Sequence, residues 1–100
     1  MAAVAILDGA LAGGASTAWV AVPASALYTV QFNGTGSEDL TFAVSNDGAN
    51  AMSANGLISN ISGGATIDRI LQVSKPVAFM QVTNNRASSV TAKVYAQAAP

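Results

Sequence analysis

The chain has 100 residues, enough for one domain with a real core and too few for two. Only 9 % of them are charged and the net charge is −1, so nucleic-acid binding and attraction to an anionic membrane surface lose their electrostatic driving term. Histidine and cysteine are both absent. That excludes disulfides, thiolate metal sites and every Ser-His or Cys-His nucleophile pair, and it leaves no expectation of an enzyme or of a cofactor.

Residues 1–15 are rich in Ala and Gly and end in Gly13-Gly14. They show no 3.6-residue period and no helix cap. Three readings are open for them: a frayed terminus, an apolar arm docking on a neighbour through Val4, Ile6, Leu7 and Leu11, or a first edge strand over Val4–Leu7. The division adopted is a flexible or docking arm over 1–15 and a β-domain over 16–100. The opening residues lack a basic region, and Asp8 interrupts their apolar run, so no export signal is expected and synthesis in the cytoplasm is the default. No apolar stretch has the length of a membrane span.

From residue 17 the chain reads as strands. Thr17–Val22 is β-branched and aromatic and is closed by Pro23. In Leu27–Phe32 the side chains of Tyr28, Val30 and Phe32 share one face, and in Leu40–Ser45 those of Leu40, Phe42 and Val44 do the same. Between these runs lies a turn-rich cluster, Asn33–Asp39, so a hairpin is expected. Asp47-Gly48 predicts a turn, and residues 49–64 predict a long loop holding one short strand over Gly56–Ile61.

Ala65–Val73 reads as a strand with apolar groups on both faces, and Val77–Thr83 as a central strand. Asn84–Ser88 turns the chain. Val90, Ala92, Val94 and Ala96 then form one face of a last strand, with Thr91, Lys93, Tyr95 and Gln97 on the other. Six to eight short strands about ten residues apart predict an all-β antiparallel sandwich, jelly-roll or immunoglobulin-like.

The polar residues form no chemical motif. Glu38-Asp39 is the only adjacent acidic pair and lies in a predicted turn, where it does not give a glycosidase its facing carboxylates. With Asp47 it could supply a weak loop-oxygen calcium site, but the spacing matches no EF-hand-like loop. Trp19, Tyr28 and Tyr95 could form a sugar-stacking platform, although a buried or interfacial Trp fits its large apolar area better.

A strand ending Phe79–Asn84, a tight turn over Asn85–Ser88 and a final strand over Val90–Gln97 look like a closing hairpin, and with Trp19–Pro23 and Tyr28–Phe32 as opening strands they resemble the small virion proteins of tailed bacteriophages, in particular capsid cement or decoration proteins. The resemblance rests on strand rhythm and composition over roughly residues 16–98. It implies a β-sandwich dimer or trimer that clamps major capsid or other virion subunits, with no catalytic residues. A surface so poor in charge suits burial against neighbours. The expected interface anchors are Ile6, Leu7, Leu11, Trp19, Ile58 and Arg69. The alternative is a tail- or fibre-associated module binding a carbohydrate or receptor.

Overall fold

The structure is a computed structural model that describes residues 3–35, 39–52, 60–62 and 66–99. Eight strands are present among them: β1 (Val4–Leu11), β2 (Val20–Ala21), β3 (Tyr28–Thr35), β4 (Asp39–Ser45), β5 (Asn60–Ser62), β6 (Thr66–Val73), β7 (Phe79–Asn84) and β8 (Val90–Ala98). They form two four-stranded antiparallel sheets, one ordered β1-β8-β3-β6 and the other β2-β7-β4-β5. The first is called sheet A below, the second sheet B.

This order has a simple generator. The first strand pairs with the eighth, the second with the seventh, the third with the sixth and the fourth with the fifth. A long hairpin folded at β4–β5 and rolled over itself gives that pattern, and it is the eight-stranded jelly roll. An immunoglobulin-like sandwich keeps several consecutive strands as neighbours in one sheet; here only β4 and β5 are neighbours both in sequence and in a sheet. Of the two expected sandwich types, the jelly roll is the one formed.

Alternation places the core as expected. Tyr28, Val30 and Phe32 of β3, Leu40, Phe42 and Val44 of β4, and Val90, Ala92, Val94 and Ala96 of β8 are all buried between the sheets, and Ala98, one residue beyond the expected last strand, joins them. Complete burial of a side chain of the size of Phe or Val stabilises by roughly 1.5–3 kcal/mol before entropy is counted. Phe32 and Phe42 meet across the two sheets edge to face, with ring centroids 5.7 Å apart. The Tyr28 ring lies in the same core, and its hydroxyl donates to the carbonyls of Pro23 (2.6 Å) and Val77 (3.0 Å), so its polar tip is satisfied.

The pairings differ from the sequence reading. The runs containing β3 and β4 do not form a hairpin, because β3 lies between β8 and β6 in sheet A while β4 lies between β7 and β5 in sheet B. Nor do β7 and β8 close as a hairpin, for they too belong to opposite sheets. Asn33-Gly34-Thr35 is not a turn but the end of β3. It is paired on both sides, with Lys93, Ala92 and Thr91 and with Asp68, Ile67 and Thr66. Two ladders outweigh the local turn preference of Asn and Gly. The expected strand over Gly56–Ile61 overlaps β5 at its end, and its residues 56–59 lie outside the described residues.

The opening segment is a strand of the sandwich, which corrects the arm assigned to 1–15. Val4–Leu11 forms the edge of sheet A against β8. Its missing periodicity has a physical cause. The register shifts between Ala5 and Leu7, and this bulge lets the consecutive residues Ile6 and Leu7 both enter the core. The chain then turns at Gly13-Gly14 and runs beside β7, where Thr17 N–H donates to the Val82 carbonyl and Val22 N–H to that of Ala78. The expected strand over Thr17–Val22 therefore follows its neighbour irregularly, with only Val20–Ala21 in regular pairing.

Asn84 fastens this corner. It is completely buried, and its side-chain NH2 donates to the carbonyls of Leu11 (3.0 Å), Ala12 (3.3 Å) and Ser88 (2.9 Å), while Oδ1 accepts the Arg86 N–H (3.0 Å). One amide thus satisfies backbone groups of both the β1–β2 and the β7–β8 connections. Gly13 lies so close to the second of these that a Cβ there would stand 2.3 Å from the Ala87 carbonyl oxygen.

Candidate interaction surfaces

Three of the expected interface anchors are spent inside the molecule. Ile6, Leu7 and Leu11 are 4 %, 8 % and 8 % exposed and face the core, because β1 closes the sandwich instead of projecting from it. Trp19 is half-buried in the segment bordering sheet B. Arg69 stands opposite Phe32 in the β3–β6 register. Ile58 lies outside the described residues.

Among the described residues the exposed large apolar side chains are Ile70 (67 % exposed) and Met52 (62 %), neither of them an expected anchor. For Ile70 a signal was present. Its strand carries apolar residues at both parities, with Leu71 and Val73 turned inward and Ile70 outward.

Ile70 belongs to the outer face of sheet A, whose registers align in rows across the strands. One row is Ala5, Tyr95, Gln31 and Ile70, running from β1 to β6. Beside it runs Gln97, Thr29 and Gln72. On its other side runs Asp8, Lys93, Asn33 and Asp68. Amides and hydroxyls thus dominate this face. Gln31 Nε2 donates to Asn33 Oδ1 at 2.6 Å, and the Tyr95 hydroxyl donates to Asp8 Oδ2 at 2.6 Å. That bond to the Asp8 carboxylate holds the Tyr95 proton, so the phenol titrates above its ordinary value, with partial desolvation and the Asp8 charge adding to the shift.

The outer face of sheet B is more covered. Thr41, Ala43, Phe79, Gln81 and Thr83 are all half-buried. Ser16 and Thr83 share a hydrogen bond of 2.6 Å, Asn85 Nδ2 donates to Thr41 Oγ1 at 2.6 Å, and Gln81 Nε2 donates to the Thr17 carbonyl at 3.2 Å. The Asn46–Asn50 loop folds back so that Gly48, at φ 71°, lies against the Phe79 ring. Asp47 organises that loop. Its Oδ1 accepts the N–H groups of Ala49 and Asn50 and the Ser45 hydroxyl, and its Oδ2 accepts Asn50 Nδ2. The two backbone donors, then the two side chains, hold the Asp47 carboxyl far below the usual carboxylate range.

A shallow depression of ≈190 Å³ lies beside this loop, lined by Val44, Ser45, Asn46, Met52, Lys75, Pro76 and Val77. It contains one cation and no acid. Among the described residues no three His, Cys, Asp or Glu side chains gather as a metal site would require. The aromatic residues do not assemble into a platform either, since Tyr28 is sealed in the core while Tyr95 lies on the outer face of sheet A.

Fold and surface together define a jelly-roll protein with a filled core and one open, amide-rich sheet face. No protein-family model matches the chain, and no curated protein matches it. Among solved structures, the crystal structure of the infectious bursal disease virus VP2 subviral particle is similar at 12 % identity and a TM-score of 0.43. The likeness covers 95 % of this chain and 31 % of that one, so the chain spans under a third of that protein's length. The jelly-roll assignment rests on the strand order of this chain and not on that likeness.

Proposed function

We propose that the chain is a virion structural protein that binds neighbouring capsid subunits and stabilises the particle in the manner of a cement or decoration protein, acting as a dimer or trimer and without catalysis or a cofactor. Jelly rolls serve in viral capsid and lectin domains alike, so the surface and not the fold must carry the reading. The observation that carries it is the outer face of sheet A. It is open and rich in Gln, Thr and Asn, with one row that carries Asp8, Lys93 and Asp68 and with Ile70 exposed upon it, on a chain only 9 % charged. Uncharged amides and hydroxyls cost less to cover than ionised groups do, provided that the partner supplies their hydrogen bonds.

A four-stranded face of this size spans roughly 15 by 25 Å. That is about 400 Å², short of the ~800 Å² per partner of a standard interface. One contact is therefore modest, and repetition over a shell supplies the avidity. A subunit that binds only the assembled shell raises its stability by mass action. The carbohydrate-binding alternative has less support, because burial of Tyr28 removes a member of its aromatic platform.

The test compares particles that carry the wild-type chain, the Ile70→Lys variant or neither. The expected result is lower heat resistance for particles without the chain, with the variant unable to restore it. Equal heat resistance of bare and wild-type-decorated particles would overturn the proposal.

A further inference from the structure

β1 is joined to the rest of the sandwich by a short turn, by its ladder to β8 and by side-chain contacts of its own residues that the same strand of a second copy can make. Among the described residues its ladder partner is β8 alone. The register of that ladder shifts between Ala5 and Leu7, and Gly9 sits in it at φ 130°, paired with Ala92. What holds the strand is its seat. Ile6, Leu7 and Leu11 fill the core, and the seat recognises this segment through Asn84 on the Leu11 carbonyl and Tyr95 on Asp8.

The connection is a turn over residues 12–15, closed by the Ala15 N–H to the Ala12 carbonyl at 3.0 Å, with Gly14 at φ 74°. Straightening this turn moves β1 away from its own β8 and leaves an apolar groove behind. The segment that fits the groove is another copy's Val4–Leu11, since it restores the contacts of β1 itself, while those of residues 12–15, among them Asn84 Nδ2 to the Ala12 carbonyl and Gly14 N–H to the Asn84 carbonyl, are given up.

We propose that β1 is an exchange strand, in which two copies of this chain swap Val4–Leu11 so that each copy's β1 pairs with the other's β8. The proposal does not depend on the virion reading, and either can fail alone.

Engineered thiols test it on a clean background, because the chain has no cysteine. Ala10 and Thr91 are both exposed and stand opposite each other in the β1–β8 register. Paired positions lie about 4.5–5.5 Å apart at Cα, which a disulfide spans. Two single variants, Ala10→Cys and Thr91→Cys, are mixed at high concentration, oxidised and sized on a non-reducing gel. Exchange predicts a mixed disulfide several-fold above that of the out-of-register control, Ala5→Cys with Thr91→Cys. Cross-linking equal to the control, or none, would overturn the proposal.

Gly14→Val sharpens the test. A β-branched residue is strained at φ 74° in the closed turn and is relieved when the turn straightens. The mixed disulfide is expected to rise several-fold in this background. A folded variant that shows no rise counts against exchange, and if the variant does not fold, the pair in the native background decides.

Discussion

The Asn84 side chain donates to the Leu11 carbonyl at 3.0 Å across 73 positions of sequence, tying the end of the first strand to the end of the seventh. The same NH2 reaches the Ser88 carbonyl, so removing it orphans backbone acceptors in two connections. Asn84→Ala is expected to cost about 3 kcal/mol. Asn84→Asp is expected to cost at least as much, because a buried carboxylate repels the same carbonyls. Urea unfolding of each variant against wild type measures both.

Gly13 is confined by space and not by its dihedral. A methyl at this position meets the Ala87 carbonyl oxygen at 2.3 Å and the Arg86 carbonyl oxygen at 2.9 Å. Backbone must shift to admit it, so Gly13→Ala is expected to destabilise by about 1–3 kcal/mol. Thermal melting monitored by near-UV absorption of Trp19 and the tyrosines checks it.

Phe32 and Phe42 join the two sheets at the centre of the core. Phe42→Ala is expected to cost about 3–5 kcal/mol. A double-mutant cycle with Phe32→Leu and Phe42→Leu should give a coupling of about 0.5–1.5 kcal/mol for the edge-to-face pair. Coupling indistinguishable from zero would mean that the two rings do not meet.

Asp47 sets an acid limit on its loop. Its carboxyl is held below the ordinary value by bonds that favour the charged form, so it takes up its proton more readily when unfolded. The stabilisation is complete above about pH 4, the ordinary carboxylate value, and is lost as pH falls from there through the depressed folded value. Asp47→Ala should be less stable than wild type at neutral pH, and the gap should close as pH drops below about 4. Urea midpoints measured from pH 7 to 2 follow it.

Ile70 separates folding from association. It is exposed on the outer face of sheet A, so Ile70→Lys should leave stability within about 0.5 kcal/mol of wild type. Light scattering of the purified chain should show weaker self-association in the variant if this face serves as the interface.

How much of this was legible in the sequence depends on the range of the information. Period-two alternation reports which side chains point inward, and it placed Tyr28, Val30 and Phe32, Leu40, Phe42 and Val44, and the inward residues of β8 correctly. It says nothing about which strand lies alongside. The turn residues after Phe32 and after Asn84 suggested local hairpins, whereas both connections cross between the sheets. Pairing in a rolled structure is decided by contacts from distant parts of the chain. The β1 segment misled for a different reason: its bulge places Ile6 and Leu7 side by side in the core and erases the alternation. Asn84, whose side chain makes four hydrogen bonds, shares the inward parity of Met80 and Val82, but in the sequence it reads as half of an Asn-Asn turn signal.

The pairing of the first strand with the eighth bears on how the molecule is made. A ribosome delivers Val4–Leu11 early and Val90–Ala98 late. At roughly 5–20 residues per second the interval is on the order of ten seconds. Throughout that interval the strand that carries Ile6, Leu7 and Leu11 lacks its ladder partner within its own polypeptide, so the nascent protein carries a sticky segment that a chaperone, or a sister chain on the same message, is placed to meet.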